Sequence, residues 1–168
     1  MKNVILLFSF LGCLLCAESV QAQEFKSAVG ARLGYPLSIS YKKFLNETNA
    51  FEIYAGTRGF NGGFNYNFRS YSVSGAYLKH TPIESVEGLS YYYGGGANVN
   101  FWTFGGFEGD NAATSFGIQA YGGLSYTFEN KPINITLDWI PSYFINGFAN
   151  GFGADYGSLA VRYILSGE

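Results

Sequence analysis

Between Thr114 and Phe128 the chain reads TSFGIQAYGGLSYTF, and every second residue is apolar or glycine. Phe116, Ile118, Ala120, Gly122, Leu124, Tyr126 and Phe128 share one parity, and Ser115, Gly117, Gln119, Tyr121, Gly123, Ser125 and Thr127 share the other. A period of two is the side-chain period of a β-strand, so the segment predicts one greasy face and one small or polar face. Strands of soluble sandwiches usually run about 5–6 residues. A strand that crosses a bilayer at a steep tilt needs about 9–11, and this one is long enough.

The pattern recurs. Eight segments carry it: Phe25 to Gly34, Leu37 to Phe44, Ala50 to Arg58, Phe64 to His80, Leu89 to Phe101, Thr114 to Phe128, Ile133 to Pro141 and Tyr156 to Leu165. The fourth changes phase, since Phe64, Tyr66 and Phe68 are large at first and Tyr71, Val73 and Tyr77 later, which predicts a bulge near Arg69-Ser70. Turn chemistry separates the segments: Tyr35-Pro36, Asn46-Glu47-Thr48-Asn49, Asn61-Gly62-Gly63 and Glu129-Asn130-Lys131-Pro132. Longer connections fall around 59–63, 102–113 and 142–154. No stretch has helical periodicity, and the 23 glycines beside Tyr 14, Phe 16 and Trp 2 favour strands, turns and interfacial belts.

Residues 1–22 stand apart. Lys2, the apolar run from Val4 to Cys16 and the small-residue site Val20-Gln21-Ala22 predict a secretory signal peptide, with the fold confined to 23–168. A lipoprotein signal at Cys13 or Cys16 fits poorly, because Leu14-Leu15-Cys16 lacks a small residue before the cysteine. Cys13 and Cys16 leave with the signal, so the mature chain is expected to hold no disulfide, thiolate ligand or cysteine nucleophile. The net charge of −2 gives no reason to expect nucleic acid. Beyond residue 22 no apolar run is long enough for a transmembrane helix, so a membrane home requires a closed barrel.

Charge position decides between lipid and water. Lys26, Arg32, Glu52, Arg58, Asp138 and Arg162, with Lys42 and Arg69, fall on the face opposite the aromatic one. A soluble barrel hides its apolar face and shows its charges; a membrane barrel does the reverse. The reading is therefore all-β, an eight-stranded antiparallel up-and-down transmembrane barrel. An interior that narrow is filled by side chains, so Lys26, Arg32, Glu52, Arg58, Asp138 and Arg162 are expected to pair as a structural charge network in the lumen. The alternative is a soluble periplasmic barrel of lipocalin type with an apolar ligand inside. Trp102, Trp139 and Tyr91–Tyr93 are read as an interfacial belt in preference to a sugar-stacking site.

Four pieces carry a resemblance: Val29-Gly30-Ala31-Arg32-Leu33-Gly34, Leu89-Ser90-Tyr91-Tyr92-Tyr93-Gly94-Gly95-Gly96, Leu137-Asp138-Trp139-Ile140-Pro141 and Val161-Arg162-Tyr163-Ile164-Leu165. With them the chain resembles the small eight-stranded outer-membrane barrels, the superfamily that includes the OmpA membrane domain and OmpX. The resemblance implies an outer-membrane location, membrane lipid as surroundings, the barrel-assembly machinery as a partner during insertion, and no cofactor. Such barrels usually end on an aromatic residue, whereas this chain runs on through Ser166-Gly167-Glu168. Barrel enzymes that acylate or deacylate lipid A are similar in size and need histidine and serine together near the outer leaflet. The sole histidine, His80, is expected at the periplasmic rim, so no catalytic residue is assigned. The lone histidine and the short acidic run Glu108-Gly109-Asp110-Asn111 supply no metal ligand set.

Overall fold

The computed structural model describes residues 25–62, 66–105, 111–147 and 150–167; the expected signal peptide lies outside them. Ten strands form one sheet: β1 Phe25–Tyr35, β2 Leu37–Phe44, β3 Asn49–Gly62, β4 Tyr66–Pro82, β5 Leu89–Gly105, β6 Asn111–Thr127, β7 Ile133–Trp139, β8 Ser142–Phe144, β9 Gly151–Gly153 and β10 Gly157–Gly167. Consecutive strands from β1 to β7 pair antiparallel, β7 pairs with β10 and β10 with β1, so the sheet closes on itself.

Ten strands make eight staves. β6 pairs with β7 along its lower half and with β8 higher up, so β7 and β8 are one stave interrupted at Ile140-Pro141. Pro141 has no amide hydrogen to give the ladder. Its carbonyl still accepts from Ala120 N at 3.0 Å, and Ile140 N donates to Tyr156 O at 2.9 Å, so the wall stays bonded across the break. β9 and β10 form the eighth stave, with β9 paired to β8. The segment expected as loop from 142 therefore begins as wall.

The alternation sets the faces. In β2 exposure and burial alternate residue by residue from Leu37 to Phe44. Outward-facing residues include Leu33, Ile39, Phe51, Ile53, Val73, Phe101, Phe116, Ile118, Leu137 and Val161. Inward-facing residues include short polar ones (Ser38, Ser40, Ser72, Ser74, Asn98, Asn100, Thr136), charged ones, and an aromatic and aliphatic cluster of Tyr54, Leu78, Tyr92, Tyr121 and Phe144. No bulge interrupts β4. Its ladder with β3 runs without a shift from Asn49–Lys79 to Gly62–Tyr66, and its ladder with β5 is equally regular. Arg69 is accordingly exposed on the outer face. The phase clue rested on Phe64, which lies outside the described residues, and on Tyr66 and Phe68 at the start of the strand.

The wall is uneven in height. β4, β5 and β6 each have 17 residues, more than a bilayer crossing needs, whereas β1 has 11 and β2 has 8 and only Pro36 separates them. Close approach between staves is settled by glycine at Gly30. A Cβ built there would lie 2.0 Å from Val161 O and 2.5 Å from Arg162 Cα, both backbone, whereas one built on outward-facing Gly122 meets nothing within 4 Å. Gly30→Ala is therefore expected to lower unfolding stability in urea by about 1–3 kcal/mol through overpacking. Gly122→Ala should match the parent or gain up to about 1 kcal/mol.

Candidate functional site

The inward parity of five staves delivers five charges to one level of the lumen. Arg32 comes from β1, Lys42 from β2, Glu52 from β3, Asp138 from β7 and Arg162 from β10, and all five are buried. Glu52 is the hub. Its Oε1 accepts from Arg32 Nη1 at 2.5 Å and also from Arg162 Nη2, while Lys42 Nζ lies 3.2 Å from Oε2. That lysine contact is a buried ion pair. Arg32 Nη2 reaches both oxygens of Asp138 at 3.0 Å, joining the two carboxylates across the barrel.

The remaining valences are met by neutral groups. Asp138 Oδ1 accepts from Ser158 N at 3.1 Å and Ser158 Oγ at 2.9 Å, and its Oδ2 accepts from Tyr92 OH at 2.8 Å. Arg162 donates from Nε to Ser40 Oγ at 3.0 Å and from Nη1 to Thr136 Oγ1 at 2.9 Å. Aromatic faces cover the cations, with Arg32 Cζ 4.6 Å from the Tyr54 ring and Lys42 Nζ 4.7 Å from the Tyr92 ring. Unpaired, any of these charges would cost several kcal/mol in such surroundings. Three cations face two carboxylates, so the cluster carries one surplus positive charge with all five ionised.

Next to the charges lies a neutral network. Tyr54 OH and Tyr121 OH both donate to Gln119 Oε1, at 3.2 and 2.9 Å, and Gln119 Nε2 donates to Ser142 Oγ at 3.1 Å. On the β4–β5 wall, Ser72 Oγ, Ser74 Oγ, Asn98 Oδ1 and Asn100 Nδ2 meet no protein hydrogen-bond partner among the described residues. A polar wall of that kind is the sort that holds internal water.

Two residues expected in the network lie elsewhere. Lys26 is exposed: the β1–β10 pairing slips between Phe25 and Ala28, and the lysine falls out of the alternation there. Arg58 has the right parity but sits six residues beyond Glu52 on β3, about 20 Å along the strand. There it forms a second cluster at the opposite mouth. Its guanidinium lies 3.5 Å from the Tyr35 ring centroid, donates to Tyr156 OH at 3.1 Å and lies 3.6 Å from Asp155 Oδ2. Trp102, read from the sequence as belt, is buried at this mouth and donates from Nε1 to Ser115 Oγ at 3.1 Å. Trp139 does face outward.

His80 lies near the terminal end of β4, as expected, but it is enclosed and not at an interface or in a turn. It is buried in the lumen near the ends of β4 and β5, stacked on Tyr92 at 4.8 Å and edge-on to Phe44 at 4.9 Å, with Nδ1 3.4 Å from Ser90 Oγ. A histidine and a serine thus meet, but under aromatic rings and inside the barrel, on the face away from any lipid. Lys42, placed on the inner face by its parity but not among the six charges expected to pair, joins the network through Glu52. Among the described residues no group of three or more histidine, cysteine, aspartate or glutamate side chains is arranged to hold a metal ion.

No protein-family model matches the sequence, and no curated protein matches it. Solved structures do. Neisserial surface protein A (NspA) is 16% identical, with a TM-score of 0.64, covering 83% of this chain and 93% of its own. Ail, the attachment invasion locus protein of Yersinia pestis, is 18% identical, with a TM-score of 0.54, covering 84% of this chain and 99% of its own. At such identity the likeness is one of fold, and it extends over nearly the whole of both neighbours. By closure, stave count and the direction its side chains take, this chain has the fold of the small eight-stranded outer-membrane β-barrels.

Proposed function

We propose that the chain is a structural and surface-interaction barrel of a bacterial outer membrane, closed through its middle and acting through the connections at its tall end. One observation carries the reading. Arg32 and Arg162 are 1% and 0% exposed, while Phe116, Ile118 and Leu124 are 49%, 57% and 47% exposed. In water the outward apolar residues would forgo the hydrophobic effect, whereas hydrocarbon solvates them; the charges, which hydrocarbon would not tolerate on the outer face, are enclosed where they pair with one another. It also argues against a lipocalin-type carrier, whose interior has to be apolar. The ion cluster, packed by Tyr54, Tyr92 and Tyr121, fits a plug better than a conduit, because an eight-stave lumen is about wide enough for side chains alone.

Strand runs through Gly62, through Gly105, from Asn111 and over Ser142–Phe144, so the connections expected around 59–63, 102–113 and 142–154 reduce to the tips joining β3 to β4, β5 to β6 and β8 to β9; binding would reside there, since loops on a rigid scaffold carry recognition. Of the two structural neighbours, one is a surface protein and the other an attachment protein by title, which agrees with that role. No catalysis is assigned: the His80–Ser90 pair faces the lumen near the terminal end of the barrel, away from the outer leaflet. Membrane lipid surrounds the apolar band, and the barrel-assembly machinery is the partner at insertion.

Fractionation tests this. After a carbonate wash the protein should stay with the outer membrane, and unboiled samples should migrate differently from boiled ones on a denaturing gel. Release by carbonate would overturn the reading. Purified protein in a planar bilayer should show no sustained conductance, and a steady open channel would overturn the plug.

A further inference from the structure

The outer face of the strands carries few charges, and among the described residues all are basic. Lys43 on β2 and Lys79 on β4 are exposed there near the strand ends on the side of the chain termini, and Arg69 on β4 towards the other mouth; Lys26, at the start of β1, is exposed at the terminal end. The carboxylates at the terminal end, Glu47, Glu84, Glu87 and Glu129, are exposed in the connections beyond the strands. Along the barrel axis the order is thus apolar band, lysines, acidic turns.

Register makes a site of two of these lysines. Lys43 pairs with Phe51 on β3, and Phe51 pairs with Tyr77 on β4; Lys79 pairs with Asn49, two residues below Phe51. The two ammonium stems therefore flank β3, about 10 Å apart across the sheet and about 7 Å along it. Each has a tyrosine two residues further into the apolar band on the same face, Tyr41 above Lys43 and Tyr77 above Lys79, and all of them are exposed. Between them the Phe51 ring lies 3.4 Å from where a Cβ on Gly75 would stand, leaving a shallow apolar strip above the lysines. Lysine is a compact point charge suited to phosphate, and it snorkels from apolar surface towards headgroups.

We infer that Lys43 and Lys79, with Tyr41 and Tyr77, hold the phosphate of an anionic phospholipid in the periplasmic leaflet, its acyl chain lying over Phe51 and Gly75. The inference rests on the membrane reading above. The lysines supply charge that a zwitterionic headgroup compensates for itself, so the site selects net-negative lipid.

The test reconstitutes the mature chain in vesicles of phosphatidylcholine mixed with phosphatidylglycerol and measures retained lipid by native mass spectrometry. The parent should retain phosphatidylglycerol preferentially. Lys43→Gln should reduce the preference about fivefold and Lys43→Gln/Lys79→Gln about twenty-fivefold. Arg69→Gln, at the other end, should leave it unchanged. Heat-modifiable migration is read on every sample, so a variant that fails to form the barrel is distinguished from one that has lost the lipid. For a double variant that does not fold, Lys43→Arg/Lys79→Arg keeps the charge and should keep the preference. Equal retention by parent and double variant would overturn the site, as would an equal loss in Arg69→Gln. A parent that never enters vesicles would overturn both the site and the membrane reading.

Discussion

Glu52→Gln is expected to destabilise the folded barrel by about 3–5 kcal/mol, the cost of removing one partner from a buried ion cluster. Glu52 accepts from Arg32 and Arg162 and faces Lys42, so its neutralisation leaves three enclosed cations with Asp138 alone. Urea titration of the protein in micelles or vesicles reads the loss as a lower midpoint. Lys42→Met provides the contrast, because it removes the surplus charge and leaves two arginines to two carboxylates. It should remain within about 1 kcal/mol of the parent, because Glu52 keeps both arginines and no enclosed charge is left without an opposite partner. The Glu52→Gln/Lys42→Met double variant should recover about 1–3 kcal/mol relative to the sum of the single changes, because the residues touch. An unchanged midpoint for Glu52→Gln would show that the carboxylate does not hold the cluster together.

Ala120→Arg is the second large effect and acts on the opposite face. Ala120 is exposed in the middle of β6, opposite Gly95 on β5, with apolar Ile118 and Leu124 along the same face. An arginine at the midplane of a bilayer costs a membrane barrel about 2–4 kcal/mol. The same change on the water-facing surface of a soluble barrel stays within about 0.5 kcal/mol. Urea unfolding in phospholipid vesicles separates the two cases, with Ala120→Leu as a substitution the hydrocarbon tolerates. Equal midpoints for parent and arginine variant would place this face in water and end the membrane reading.

Parity made much of this fold legible. A period of two assigns each residue a face, and it set Arg32, Glu52, Asp138 and Arg162 inward together, on strands bounded by visible turn residues. Parity gives no height, however. Arg58 shares the inward face with Glu52 but belongs to a different cluster, because height follows from stagger between staves distant in sequence. The Arg32–Asp138 contact spans 106 residues and the Arg162–Glu52 contact 110, and no local pattern encodes either. Parity also fails where hydrocarbon stops enforcing it: at Lys26, where pairing slips, and at Arg69, above the apolar band. The wall at β8 and β9 was illegible for another reason. Three-residue strands beside a proline and glycines carry too little alternation to register.

The single-residue turn at Pro36 has a consequence for what the medium meets. In the proposed orientation the first hairpin ends almost flush with the lipid, while β3 to β6 rise beyond it. From outside the cell the molecule presents a crescent and not a ring. A binding partner would approach one flank, and the low flank would be left to the lipid around it.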